Sequence, residues 1–150
     1  MTYELPDRYV NTPLIEVSRS VVMTGVNSNL SPFPFDTANF NEFGCYNFGT
    51  QRFTCPEAGR YLFSANFSVQ QETGTATFGI LAGADGGFSK RLCPPVSSTA
   101  AGQWVQLSGS YYQFLDVGQT VFCSFLYFFG TGTLRIAEAG QSYFSICKIQ

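Results

Sequence analysis

Between Arg60 and Gln70 the chain reads RYLFSANFSVQ, and its side chains alternate in kind. Tyr61, Phe63, Ala65, Phe67 and Val69 share one parity; Leu62, Ser64, Asn66 and Ser68 share the other. A period of two belongs to an extended strand that shows one face to a core and the other elsewhere. No window of the sequence carries the apolar i, i+3, i+4, i+7 stripe of an amphipathic helix. The chain is therefore read as all-β.

Further β-rich runs cover Val17 to Thr24, Ala76 to Ala82, Gln103 to Phe114, Thr120 to Phe129, Leu134 to Ala137 and Ser142 to Ile149. In Gln103 to Phe114, Trp104, Gln106, Ser108, Ser110, Tyr112 and Phe114 alternate against Val105, Leu107, Gly109, Tyr111 and Gln113. Breakers separate the runs: Pro32 and Pro34, Cys55-Pro56-Glu57-Ala58-Gly59, Ala84-Asp85-Gly86-Gly87, Cys93-Pro94-Pro95, Ala100-Ala101-Gly102 and Gly130-Thr131-Gly132. Ala84–Gly87 is a hairpin signal. At least seven short strands punctuated in this way predict a sandwich or jelly roll. Residues 1–16 mix Pro6 and Pro13 with charges and lack alternation, so they are read as an N-terminal arm and 17–150 as the domain.

A length of 150 residues suits one domain with a real core. Charged residues are 12% while aromatics reach 17%, led by 16 Phe. One small core has little room for so many rings, which predicts that some face a partner subunit. The net charge of -2 and the lack of a basic run argue against nucleic acid as a partner. The longest apolar run, Phe125 to Phe129, is far too short for a membrane helix. Met1 to Asn11 has neither the basic start nor the apolar stretch of a signal peptide.

Catalytic chemistry is hard to assemble from this composition. Histidine is absent, which removes imidazole bases and the common nucleophile triads. The ten carboxylates show no pairing of the glycosidase kind. Cys45, Cys55, Cys93, Cys123 and Cys147 form no C-x-x-C pair, so a structural zinc site is not expected. They are read as small buried hydrophobes, with a Cys45–Cys55 disulfide flanking one turn as the alternative. Asp85 and nearby loop oxygens could reach a calcium ion, but no EF-hand spacing is present. Asn66-Phe67-Ser68 fits a glycosylation sequon, yet Asn66 falls inside an expected strand. No cofactor, metal or enzymatic activity is expected.

Three segments in order resemble the jelly roll of the complement component 1q and tumour necrosis factor superfamily. Phe53 to Ser64 (FTCPEAGRYLFS) is similar to that family's F-x-x-P-x-x-G-x-Y-x-F-S, with Phe35-Asp36 and Asn41 upstream. Leu115 to Val121 (LDVGQTV) resembles its L-x-x-G-D/Q-x-V turn. Ser142 to Ile149 resembles its closing F-S-G-x-L-I strand, with Ile146 where the family has Gly. In the first motif Pro56 fits a turn, and Gly59 is read as a residue able to take the positive φ of a tight turn. The resemblance implies an antiparallel jelly-roll sandwich and a compact homotrimer.

On the strand from Thr120, Val121, Cys123, Phe125, Tyr127 and Phe129 share one parity, and Phe122, Ser124, Leu126 and Phe128 the other. Both faces are apolar, so one is expected in the core and one at a three-fold axis, the parity being open. The interface candidates are Phe122, Phe125, Tyr127, Phe128, Phe129 and Tyr143. Members of the superfamily usually carry a signal, a membrane anchor or a collagen stalk, none of which is evident here. The first expectation is therefore a virion structural protein: a bacteriophage capsid decoration (cement) protein stabilising the head. Its partner would be the major capsid protein or another virion protein, gripped by the arm through Tyr3, Leu5, Tyr9 and Leu14. The alternative is a phage fibre tip, or an extracellular complement-like module that binds a glycan or protein through loops such as Gly83–Lys90 and Pro94–Gly102.

Overall fold

A computed structural model describes residues 13–98, 100–138 and 140–149. Thirteen strands form among them: β1 (Pro13–Ser18), β2 (Met23–Val26), β3 (Thr37–Asn41), β4 (Tyr46–Asn47), β5 (Arg52–Thr54), β6 (Gly59–Thr73), β7 (Ala76–Ala84), β8 (Ser89–Arg91), β9 (Val96–Ser98), β10 (Trp104–Leu115), β11 (Thr120–Gly130), β12 (Thr133–Ile136) and β13 (Tyr143–Lys148). The only helical element described is a 3₁₀ turn at Glu42–Gly44. No helix among the described residues is long and apolar enough to cross a membrane.

The strands make two antiparallel sheets. The seven-stranded sheet runs β2-β12-β6-β13-β1-β3, with β10 on the other side of β6. The six-stranded sheet runs β4-β5-β11-β7-β8, with β9 also on β7. The alternation read in Arg60–Gln70 is the alternation observed: Tyr61, Phe63, Ala65, Phe67 and Val69 are buried. They meet Phe78, Ile80, Val121, Cys123 and Phe125 from the other sheet in one core. Its rings touch edge-on or offset, as at Phe33–Phe67 (5.0 Å) and Phe78–Phe125 (5.8 Å). Ten Å-scale spacing between facing sheets is the ordinary result of such interdigitation.

The three motifs singled out in the sequence converge at one end of the sandwich. The Cys55 amide donates to the Gln119 carbonyl (2.9 Å) and the Gly118 amide donates to the Cys55 carbonyl (2.8 Å). Below them the Tyr61 hydroxyl and the Cys55 thiol both donate to the Glu57 carbonyl, at 2.6 and 3.1 Å. The closing strand reaches the same place: Lys148 Nζ lies 2.9 Å from Glu57 Oε1. Gly59 simply opens β6, and the left-handed glycine of this end is Gly118 (φ 83). Ile146 is fully buried against the core, so the departure from the family's Gly adds packing there.

Several expectations are corrected. The arm does not extend to residue 16. β1 begins at Pro13 and pairs with both β13 and β3, and Leu14 and Ile15 have no exposed surface, so Leu14 is a core residue. Tyr3, Leu5 and Tyr9 lie outside the described residues. The strand expected over Val17 to Thr24 is two strands, because Asp36 takes the Ser20 amide (2.6 Å) and hydroxyl (3.0 Å) and turns the chain out of the sheet. Phe125 is fully buried between the sheets, so it is not available to a partner. All five cysteines are free thiols, in line with the first reading and not with a Cys45–Cys55 disulfide; Cys45, Cys55 and Cys123 are buried, but Cys93 and Cys147 only partly so.

Candidate functional site

The outward residues of β6, β10 and β13 form one continuous surface. Register places Ser110 opposite Ser64 and Ser64 opposite Ser145. Ser108, Asn66 and Tyr143 make the next row, and Tyr112, Leu62 and Cys147 the row on the other side. Between Leu62 and Gln70, and along all outward positions of β10 and β13, this face carries no charged side chain. Arg60, Glu16 and Arg135 stand only at its margins, where Glu16 accepts from Asn39 at 2.7 Å. Small hydroxyl residues keep the middle flat, while Trp104, Tyr112 and Phe114, all on the edge strand β10, are 48%, 62% and 55% exposed. A solvated antiparallel face of this size normally carries charges. Strand β10 pairs only with β6 among the described residues, so its other edge is unpaired, an arrangement that isolated proteins usually protect. Tyr143 lies on this surface, half-buried, between Asn66 and Ser18. Asn66, the sequon residue, also faces this way, and its amide donates to the Gln141 carbonyl (2.8 Å).

The outer face of the six-stranded sheet differs in kind. Phe122 and Phe128 project there, and each lies over a glycine of β7: Phe122 over Gly83 and Phe128 over Gly79. A side chain at either glycine would crowd the ring, so the glycines provide the seats. Arginines of the same chain cap both rings, Arg52 at 4.5 Å from the Phe122 centroid and Arg91 at 4.7 Å from that of Phe128. Arg52 also grips Asp85 through two nitrogens (2.8 and 3.3 Å), and Thr120 donates to Asp85 at 2.6 Å. These hydrogen bonds, Arg52 first, hold the Asp85 carboxyl below its ordinary range. Both Asp85 carboxylate oxygens, the candidate calcium ligands, are thus committed to Arg52 and Thr120. No cluster of three His, Cys, Asp or Glu side chains suited to a metal occurs among the described residues.

The parity of β11 changes near its end. Val121, Cys123 and Phe125 face the core, and Tyr127 follows them, its hydroxyl donating to the Gly132 carbonyl at 2.7 Å. Between Tyr127 and Phe129 the register slips by a bulge: Tyr127 opposes Phe78, but Phe129 opposes Thr77. Phe129 therefore leaves the core-facing row and stands 69% exposed on the outer side. The loops Gly83–Lys90 and Pro94–Gly102, expected to share one ligand site, meet opposite ends of β7, since Ser89 pairs with Gly83 and Ser98 with Ala76.

The C1q domain model matches residues 16–145 of the chain, which is nearly its whole length. The chain belongs to the C1q domain family. This C1q domain is similar in fold to Eiger TNF from S. frugiperda, with a TM-score of 0.61 at 12% identity, covering 91% of each chain. It is similar also to the globular domain of zebrafish complement 1qA protein, with a TM-score of 0.60 at 15% identity, covering 91% of this chain and 96% of that one. At such identities the likeness concerns the fold alone. No curated protein sequence matches it. C1q and TNF domains are generally non-enzymatic binding modules that commonly form trimers. None of these findings supports capsid decoration, a major capsid protein partner or a location on a virus particle.

Of the interface candidates, only Tyr143 lies on the uncharged face. Phe122 and Phe128 sit under arginines on the opposite sheet, and Tyr127 is tied to Gly132. Trp104, Tyr112 and Phe114, exposed on the uncharged face, are not among the sequence's interface candidates, although the alternation of β10 puts them on one side.

Proposed function

We propose that this C1q domain is a non-enzymatic, trimeric binding module that works outside the cell, its copies meeting through the uncharged face of the seven-stranded sheet. One observation carries the reading: β6, β10 and β13 offer a flat face without charge, with Trp104, Tyr112 and Phe114 exposed along its β10 edge. Burying such a face removes apolar area from water without stranding a charge. The unpaired edge of β10 would be covered in the same step. The family's habit of trimerising supports three copies over two. Association then presents three equivalent ligand sites, which raises avidity for a repetitive target. The complement-like reading is compatible with the family match, whereas the virion reading draws nothing from it.

Sedimentation equilibrium on the full chain at micromolar concentration tests this. The expected mass is three times the 16.5 kDa protomer. A stable 16.5 kDa species would overturn it.

A further inference from the structure

The bulge that expels Phe129 from the core does so beside a row of hydroxyls. Phe129 opposes Thr77 across one strand pair, and Thr77 opposes Ser97 across the next. The three side chains thus lie side by side on the outer side of the sheet, with Thr75, Ser98 and Gly130 completing a shallow depression. Thr77 and Ser97 share a hydrogen bond of 2.7 Å. Two hydroxyls hold two protons and four lone pairs, so this bond leaves one donor and further acceptor capacity for a ligand. No residue lining the depression is charged.

The backbone beneath the depression is closely packed. Gly130 has φ 147, and a side chain there would strike the backbone of Thr75 and Ala76. The amides of Thr131 and Gly132 both donate to the Thr75 carbonyl, at 3.0 and 3.1 Å. On this backbone the Phe129 ring stands 69% exposed, its face open to solvent beside the hydroxyl row.

We propose that this depression binds a neutral saccharide. One face of a pyranose would stack on the Phe129 ring, whose electron-rich face attracts the slightly positive C–H hydrogens of the sugar. Its hydroxyls would exchange hydrogen bonds with Ser97 and Thr77. An anionic ligand finds no cation in the depression, and a purely apolar one would leave the hydroxyl row unpaired. This inference rests on the reading of the domain as a binding module, but the site shares no residue with the face assigned to self-association.

Saturation-transfer NMR on the full chain tests it, with methyl β-D-galactopyranoside, methyl α-D-mannopyranoside and N-acetylglucosamine as probes. At least one sugar should show transfer, strongest on the hydrogens of one ring face. Phe129→Ala should reduce it about fivefold or more, Ser97→Ala less, and Phe129→Trp should retain it. Transfer from none of the three sugars, or transfer unchanged in Phe129→Ala, would overturn the site. The mass of the same samples is measured in parallel, so a lost sugar site and a lost trimer are read separately.

Discussion

Gly109 of β10 sits so close to the Leu92 carbonyl that even one added methyl group would run into it. The contact joins the two sheets at their open side. The segment after β8 folds over the inner face of β10, and its Leu92 amide donates to the Ile80 carbonyl at 3.0 Å. Sheet, loop and opposing sheet are thereby locked through backbone atoms, which cannot change rotamer to make room.

Gly109→Ala is accordingly expected to destabilise the fold by about 2 kcal/mol, the usual scale of overpacking. Urea unfolding followed by far-UV circular dichroism reads it. Gly86→Ala, in the open tip of the β7–β8 turn, provides the contrast: its backbone is strained for alanine (φ 70) but nothing lies within reach of the new atom.

The Lys148–Glu57 pair is largely buried, with the lysine side chain 10% exposed. Glu57→Gln removes the negative charge and leaves the ammonium without its countercharge. A loss of about 3 kcal/mol is expected. Adding Lys148→Met should recover much of it, because the uncompensated charge is then gone too. Urea midpoints of the single and double variants decide the matter, and equal losses in both would contradict it.

Burial pushes the Cys45 thiol from 9.0 up to about 11, and it raises Cys55, Cys93 and Cys147 as well. The folded chain holds these protons more tightly than the unfolded chain does. Their stabilisation is thus complete below about pH 9 and is lost as pH climbs through the folded value. For Cys45 alone the loss by pH 11 is about 2 kcal/mol. Urea unfolding at stepped alkaline pH should show a shallower decline in Cys45→Ala than in the unmodified chain.

What the sequence revealed follows strand length. β6, β7, β10 and β11 run nine to fifteen residues, long enough for a period of two to stand out. β4, β5, β8 and β9 have two or three residues and show no period at all. They exist because neighbours offer them ladder partners. The Phe53–Ser64 motif was legible because its residues act locally, Tyr61 bonding Glu57 four positions away. The surfaces proposed for interaction were harder to see. The aromatic run Phe125–Phe129 drew attention as an interface, but Phe125 fills the core, Arg91 covers Phe128 and a bulge redirects Phe129. A bulge is set by pairing with the neighbouring strand, so strict alternation could not disclose it. The uncharged face is spread over β6, β10 and β13, which are far apart in sequence and become one surface only through register.

Ser110 stands halfway along β10, in the same row of that face as Ser64 and Ser145. Ser110→Lys puts a charge where three copies are held to meet, and on an exposed position that leaves the core of the protomer untouched. Light scattering coupled to size-exclusion chromatography should find the unmodified chain at three times 16.5 kDa and Ser110→Lys at 16.5 kDa, with identical far-UV spectra. A Ser110→Lys protein that keeps the mass of the unmodified chain would contradict the assignment of this face.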